Sequence, residues 1–220
     1  MSWDSEFALS ILPVLLEGLK VTLLVTAFGM LIALSLGLVI AIGRRLRIPV
    51  ASRVLDFYVT FVRGTPLLVQ AYCVFFILPA YGIRFDALVT GIIVIGINYS
   101  AYTAEVYRSG IEGVPTGQWE AAIALNLPTR TTWQRVVLPQ AFANIIPMLG
   151  NYLIQMFKDS AVLSAITVVE LLATALSVSS STFRYLEPLT VAGLFFLILS
   201  YAASQGIRFL EKRSALSVSR

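Results

Sequence analysis

Five long stretches of this 220-residue chain carry no charged residue, and they constrain the fold more than any other feature. The first, Val21–Gly43, has 23 residues and would be about 35 Å long as a helix, enough to cross a hydrocarbon layer of roughly 30 Å. The others are Gly64–Ile83, Ala87–Ala104, Val136–Phe157 and Pro188–Ile207. Only helices and closed β-barrels span lipid, and these runs lack the alternation of barrel strands. The sequence therefore predicts an all-α membrane protein with about five transmembrane helices.

The chain reads as one domain over residues 1–220. Only 13% of its residues are charged, against about 25% in soluble proteins, and no linker, repeat or low-complexity tract interrupts it. We expect spans at about 19–43, 55–80, 87–108, 140–168 and 188–210. A polar loop at about 111–139 separates the third span from the fourth.

Basic residues are distributed unevenly between the two sides of these spans. Three lie in the loops of one side, at Lys20, Arg84 and Arg184. Eleven lie on the other side, at Arg44, Arg45, Arg47, Arg53, Arg108, Arg130, Arg135, Arg208, Lys212, Arg213 and Arg220. Because loops rich in Lys and Arg stay in the cytoplasm, the N-terminus is predicted outside and the C-terminus inside. The same asymmetry explains the net charge of +4, so we expect no nucleic acid partner.

The polar loop on the predicted cytoplasmic side has the pattern of two short helices. Pro115 and Pro128 bracket the first, which we expect to begin with Thr116 as its N-cap. Trp119, Ile123 and Leu127 recur every four residues and predict one apolar stripe. Asn126 suits the left-handed position that closes a helix. The second helix is predicted from Thr129 to Leu138, ending before Pro139.

This loop resembles the EAA loop of ABC-importer permeases. That pattern is Glu-Ala-Ala, three residues, Gly, nine residues, Ile, one residue and Leu-Pro. The matching residues are Glu120, Ala121, Ala122, Leu138 and Pro139. Asn126 stands in place of Gly and Val136 in place of Ile, and both keep the physical property of the residue they replace. The alternative is an ordinary amphipathic surface loop.

Further segments are similar to the histidine and glutamine permease branch of polar amino acid importers. They are Arg63–Gln70, Ala101–Ile111, Val114–Ala122, Leu138–Ala141 and Lys158–Ser160. The resemblance implies the type I ABC importer permease fold in a bacterial inner membrane. It also implies a second permease subunit, identical or paralogous, a cytoplasmic ABC ATPase dimer and an external solute-binding protein. The residues implied to contact the ATPase are Gln118, Trp119, Glu120, Ala121, Ala122, Asn126, Leu138 and Pro139.

The composition argues against catalysis by this chain. A Walker A motif needs Gly-Lys, and Lys20, Lys158 and Lys212 all follow other residues. The chain has no histidine, which removes His-dependent catalysis and His-containing metal sites. We therefore expect no cofactor here, with ATP and Mg²⁺ bound by the partner ATPase.

Polar residues inside the predicted spans are candidates for a solute path, because such residues are costly in lipid. Asn144, Asn151, Gln155 and either Lys158 or Asp159 form one stripe along the fourth span. We expect the stripe to line the path, with Asp159 or Lys158 contacting a charged end of a zwitterion; alternatively, these residues pair with neighbouring helices. Gln70 and Asn98 are further path candidates. An ion-pair network is expected among Arg63, Glu105 and Arg108.

Together these features predict a non-catalytic subunit of an ATP-driven importer. The solute would be a polar amino acid or a related zwitterion, such as an opine or an ectoine-type compatible solute. The alternative is a self-contained secondary transporter of small polar solutes, a class that usually has more spans and inverted repeats. The polar segment from Glu170 to Arg184 is expected outside, either as an outer gate or as a plain surface loop.

Overall fold

The computed structural model describes residues 3–46 and 48–218, with side chains up to Glu211. Arg47 and Arg220 from the topology prediction lie outside the described residues, as do the side chains of Lys212 and Arg213. The helices are α1 (Ser5–Ser10), α2 (Leu12–Arg45), α3 (Pro49–Gly64), α4 (Leu67–Tyr72), α5 (Ala87–Glu112), α6 (Thr116–Ala124), α7 (Thr129–Thr131), α8 (Leu138–Asp159), α9 (Leu171–Thr182) and α10 (Leu186–Val218). No strand occurs in the described ranges, which confirms the all-α prediction.

Four of the described helical segments are long and apolar enough to cross a membrane. They are Leu12–Arg45, Ala87–Glu112, Thr129–Ile166 and Leu186–Glu211. A fifth crossing is possible only for a bent pair, because Pro49–Gly64 and Leu67–Tyr81 meet at 105°. The prediction of about five spans is therefore confirmed in number. The second predicted span, at about 55–80, corresponds to this bent pair, which breaks where Thr65 is extended and Pro66 follows it.

The contact between α2 and α5 depends on glycines that let the two backbones approach closely. A Cβ added to Gly37 would lie 2.0 Å from Thr103 Oγ1 and 2.9 Å from the Ser100 carbonyl oxygen. A Cβ on Gly96 would lie 2.7 Å from Ile32 Cβ. At the same crossing, the Thr103 hydroxyl donates a 2.6 Å hydrogen bond to the Ala33 carbonyl. Small residues and interhelical hydrogen bonds hold helices together where lipid supplies no hydrophobic drive.

A cluster of ion pairs ties together the ends of α2, α3 and α5, which we call the basic end. Glu105 accepts hydrogen bonds from Arg44 and from Arg108, the latter at 2.8 Å from Nη2. Arg63 Nη1 lies 4.0 Å from the same carboxylate, and Arg44 Nε is 2.6 Å from Asp56 Oδ1. The predicted network of Arg63, Glu105 and Arg108 is confirmed, and Arg44 joins it.

At the opposite end, a smaller cluster fastens α1 to the start of α10. Arg184 Nη1 lies 3.1 Å from Asp4 Oδ2, and its guanidinium carbon is 4.6 Å from the Phe7 ring centroid. The Asp4 amide donates to Glu187 Oε1 at 3.1 Å. The Phe7 backbone amide and then the Arg184 guanidinium hold the pKa of Asp4 below its ordinary value. The polar segment after Glu170 forms the short helix α9.

The glycine contact predicts that Gly37→Ala destabilises the fold. The added methyl group would overlap Thr103 and the Ser100 carbonyl, and overpacking of this kind costs roughly 1–3 kcal/mol. Gly193→Ala is the matched control, since nothing lies within 4 Å of a Cβ added there. Thermal unfolding of the purified chain in detergent should show a lower midpoint for Gly37→Ala alone. Equal midpoints would contradict the close approach of α2 and α5.

The ion-pair cluster predicts that Glu105→Gln is more damaging than Glu112→Gln. Glu105 is 21% exposed and faces three guanidinium groups, which would be left with one carboxylate fewer. Losing hydrogen bonds to charged groups costs roughly 1.5–3 kcal/mol. Glu112 is 56% exposed and contacts Arg108 alone, so its loss should cost less than about 1 kcal/mol. The free energy of unfolding in denaturant tests the order, and the reverse order would refute it.

Candidate functional site

A cavity of about 400 Å³ lies at the elbow between α3 and α4. It is lined by Arg63, Gly64, Thr65, Pro66, Leu67, Asn98, Tyr99, Tyr102, Tyr152, Gln155 and Asp159. The lining therefore comes from the elbow itself, the middle of α5 and the second half of α8. A cavity of this size is within the range of small-molecule sites.

The cavity presents a carboxylate and a guanidinium together. Tyr99 donates a 2.6 Å hydrogen bond to Asp159 Oδ2, which leaves the other carboxylate oxygen available. Arg63 makes no hydrogen bond to any group in the described part of the chain, and its guanidinium carbon lies 5.4 Å from the Tyr102 ring centroid. Three tyrosine rings, of Tyr99, Tyr102 and Tyr152, lie between 5.5 and 6.2 Å apart by their centroids. Aromatic faces and a carboxylate attract an ammonium group, and free guanidinium donors attract a carboxylate.

The side-chain amides of Gln70 and Asn98 form hydrogen bonds that fix the bend at the elbow, and we call this pair the amide clamp. Gln70 Nε2 donates to the Val62 carbonyl at 2.9 Å and to Thr65 Oγ1 at 2.7 Å, across the bend. Its Oε1 accepts a 3.1 Å hydrogen bond from Asn98 Nδ2. Asn98 is 4% exposed and still lines the cavity, whereas Gln70 does not. Gln70 was predicted as a path residue, and here its amide satisfies the backbone carbonyls that the bend leaves free.

The polar stripe on α8 divides between two surroundings. Gln155 and Asp159 reach the cavity, whereas Lys158 lines a separate groove beside α9 and α10. Asn151 is exposed and borders neither space. Of the two residues left open for a charged contact, Asp159 is therefore the one placed at the elbow cavity. Adjacent residues on a helix point about 100° apart, which explains the split.

Sequence reasoning missed the tyrosine cluster and the place of Arg63 in the cavity. Neither Tyr99 nor Tyr102 was among the predicted path residues, and Arg63 was predicted only as a member of the ion-pair network. The available signal was spacing, since Tyr99 and Tyr102 lie three apart on α5 and share one face of that helix. That this face of α5 packs against Tyr152 of α8 is set by tertiary packing, which the sequence pattern does not contain.

The segment Thr116–Val137 contains α6, α7 and a π-helical turn and lies at the basic end. We call it the coupling segment, after the role that its resemblance to the EAA loop implies. Asn126 has φ 47°, which confirms the left-handed conformation predicted for it. The rings of Trp119 and Trp133 meet edge to face at 5.4 Å, and Gln140 Nε2 donates to Gln118 Oε1 at 3.3 Å. These contacts seat α6 against the helical turn that leads into α8.

Three local predictions about this segment were wrong. Thr116 is the first helical residue and its side chain makes no cap, while Pro115 occupies the cap position. Ile123 is 75% exposed because Ala122, which is 3% exposed, faces inward instead. The predicted helix from Thr129 does not stop before Pro139. It passes through a π-helical turn, Thr132–Val137, directly into α8, whose first turn contains Pro139.

Glu120 and Ala121 lie on the outer surface of the coupling segment. Both are exposed, and Glu120 makes no hydrogen bond or ion pair to any side chain that the structure describes. Leu138 and Pro139 are the first two residues of α8, where it joins the segment. Of the predicted contact residues, Glu120 and Ala121 are thus exposed on the outer surface, whereas Ala122 is buried and the contacts of Gln118 and Trp119 hold the segment in place.

Comparison with known proteins gives consistent matches along nearly the whole chain. The family described as "Binding-protein-dependent transport system inner membrane component" matches residues 10–215. A protein of Sinorhizobium fredii named "Probable amino-acid ABC transporter permease protein" is 44% identical over 215 residues, covering 96% of this chain and 93% of that one. The arginine transport system permease ArtQ of Bacillus subtilis is 35% identical over 200 residues, covering 90% and 91% of the two chains.

Solved structures agree with these relatives. A chain of a crystal structure described as an amino acid ABC transporter with histidines has a TM-score of 0.92 and 34% identity, covering 97% of this chain and 100% of that one. A chain of an inward-facing methionine ABC transporter has a TM-score of 0.70 at 21% identity, covering 96% and 99%, and supports the fold alone. The protein therefore belongs to the family of binding-protein-dependent transport system inner membrane components, with the fold of a type I ABC importer permease.

Proposed function

We propose that this chain is the membrane subunit of an ATP-driven importer for a polar amino acid or a related zwitterion. The observation that carries the proposal is the elbow cavity, which places the guanidinium of Arg63 and the carboxylate of Asp159 around one space of about 400 Å³. Arg63 lies 4.0 Å from Glu105 but makes no hydrogen bond within the described residues, so its donors are available. An α-amino acid carries both charge signs at neutral pH. The amino acid names of the relatives in Sinorhizobium fredii and Bacillus subtilis support the same solute class.

The geometry suggests how such a solute would be oriented. Its carboxylate would accept hydrogen bonds from Arg63, whose planar donors suit a two-point contact. Its ammonium would lie beside Asp159 and the rings of Tyr99 and Tyr152. Gln155 makes no hydrogen bond within the described residues, so its amide is available to the polar side chain of the solute.

The coupling segment is the proposed contact with the ATPase. Glu120 is exposed and unpaired, whereas the segment behind it is fixed by the Trp119–Trp133 contact and the Gln118–Gln140 hydrogen bond. A rigid element with a free charged face can transmit a push from a partner. Its continuation through Thr132–Val137 into α8 leads to Gln155 and Asp159, so movement of the segment would reach the cavity wall.

The proposed assembly has two permeases, two ATPases and an external solute-binding protein. The exposed face of α8 with Asn144, Asn151 and Gln155 would meet the second permease or the shared path. The basic end, with the coupling segment, would lie in the cytoplasm, and the end with Asp4 and Arg184 would lie outside. In this arrangement ATP and Mg²⁺ bind the partner, and this chain contributes movement rather than catalysis.

Replacing Asp159 tests the solute site. Asp159→Asn should lower uptake into proteoliposomes about tenfold to a hundredfold, because a lost charged hydrogen bond costs roughly 1.5–3 kcal/mol. Asparagine keeps an oxygen for the Tyr99 hydroxyl, so the unfolding midpoint should change little. Lys158→Gln is the matched control, since Lys158 faces a different groove. Unchanged uptake by Asp159→Asn, with ATP hydrolysis retained, would remove Asp159 from the path.

Reversing the charge of Glu120 tests the coupling segment. Glu120→Lys should reduce ATP-dependent uptake by about tenfold or more and weaken co-purification with the ATPase. Because Glu120 has no partner within the described chain, the unfolding midpoint should remain unchanged. Glu6→Lys, an exposed glutamate at the opposite end of the molecule, should retain uptake and co-purification. Normal coupling in Glu120→Lys would contradict a role for this face.

A further inference from the structure

A second cavity, of about 580 Å³, lies at the basic end between α2, α5 and α8. We call it the inner groove. Its lining includes the apolar side chains of Leu38, Ile42 and Phe142, the guanidinium groups of Arg44, Arg45 and Arg108, and the carboxylates of Asp56 and Glu112. It shares no lining residue with the elbow cavity. The proposed solute site therefore does not explain it.

One part of the inner groove is lined by hydrophobic side chains, and we call it the apolar length. The other part, which we call the rim, carries arginines. Leu38, Ile42 and Phe142 line the length and are 45%, 53% and 51% exposed. Arg44 and Arg45 stand at the rim, where α2 ends. Leu38 and Arg45 are seven residues apart, about 10 Å along the helix axis, so the apolar part runs away from the rim toward the middle of the span.

One rim arginine is not neutralised by a carboxylate. Arg44 bonds Asp56 and Glu105, and Arg108 bonds Glu105 and Glu112. Arg45 makes no ion pair with any carboxylate among the described side chains. Its guanidinium carbon instead lies 4.8 Å from the ring centroid of Trp133. At the rim, the exposed guanidinium of Arg45 therefore has N–H donors available for a ligand, whereas those of Arg44 and Arg108 are bonded to carboxylates.

The inner groove also lies away from the polar face of α8. Phe142 and Asn144 are two positions apart, which separates them by about 200° around that helix. If the polar face meets the path or the second permease, the groove faces the lipid side of the bundle. Leu38 and Ile42 belong to Leu12–Arg45, the candidate span with the highest mean hydropathy, and they lie inside its charge-free run.

We propose that the inner groove binds an anionic phospholipid from the leaflet at the basic end. The headgroup phosphate accepts hydrogen bonds from Arg45, and one acyl chain lies along Leu38, Ile42 and Phe142. Basic pockets between transmembrane helices suit anionic headgroups, and guanidinium groups bind phosphate oxygens through paired donors. The charge of the rim and the depth of the apolar part together favour this occupant over a soluble anion, which would leave the apolar length uncovered.

The site has a consequence for the coupling segment, and this part rests on the proposed function. Arg45 contacts Trp133, and Trp133 contacts Trp119 of α6. A headgroup that engages Arg45 therefore sits two contacts from the face proposed to meet the ATPase. Stimulation of ATP hydrolysis by solute should then depend on the anionic lipid content of the membrane.

Lipid retention by the purified full-length chain tests the binding itself. Native mass spectrometry after exchange into mixed phosphatidylglycerol and phosphatidylcholine should show phosphatidylglycerol retained preferentially by the unaltered chain. Arg45→Gln should lower that retention about fivefold, the effect of losing one basic residue at an anionic lipid surface. Arg53→Gln is the matched control, because Arg53 is exposed, makes no ion pair with a described side chain and lies outside the groove. Ile42→Glu, which places a carboxylate in the groove and keeps Arg45, should also lower retention.

The outcomes separate this proposal from its alternatives. Equal retention by Arg45→Gln and Arg53→Gln, or equal retention of the two lipids by the unaltered chain, would overturn it. A cross-link from Phe142→Cys to a partner subunit in the Cys73→Ser background would overturn it too, since a protein would then fill the groove. If retention falls as expected but ATP hydrolysis is insensitive to anionic lipid, the lipid site stands and only its link to coupling fails.

Discussion

The structure depends on one constraint, namely that a backbone group within a bilayer must find its hydrogen-bond partner inside the protein. Long helices meet this requirement by themselves, whereas the 105° elbow between α3 and α4 does not. There the side chain of Gln70 reaches back to Val62 and Thr65, and Asn98 completes the clamp from α5. The chain can turn at this depth because two amides replace the missing helical bonds. The cavity exists because the chain turns.

Helix α5 connects the parts that the proposed mechanism needs. Through Tyr99 it contacts Asp159 at the cavity, and through Glu105 it gathers the guanidinium groups at the basic end. Close glycine contacts hold its middle part, from Ile95 to Thr103, against α2. Helix α8 is attached to the coupling segment by a continuous helical turn. Displacement of that segment would therefore move α8, which carries Asp159, relative to α5, which is packed against α2. This movement would change the width of the elbow cavity.

Sequence reasoning succeeded where a property is local and failed where it depends on which helices meet. Charge-free length was enough to predict about five crossings, and the tolerance of asparagine for positive φ was enough to place the helix end at Asn126. Pro139 was misjudged because proline fits equally well after one helix and in the first turn of the next. The Gln70–Asn98 hydrogen bond and the opposed charges of Arg63 and Asp159 join residues more than 25 positions apart. No single-helix pattern contains that information.

The central claim is that this chain moves a zwitterionic solute only when a separate ATPase drives it. The most direct test is uptake of labelled amino acid by proteoliposomes that contain the purified permease, with and without the ATPase and the binding protein. The account predicts uptake that requires ATP and all of these components, and that is unaffected by collapsing the proton and sodium gradients. Uptake by the permease alone, driven by either gradient, would contradict it and would identify a self-contained secondary transporter.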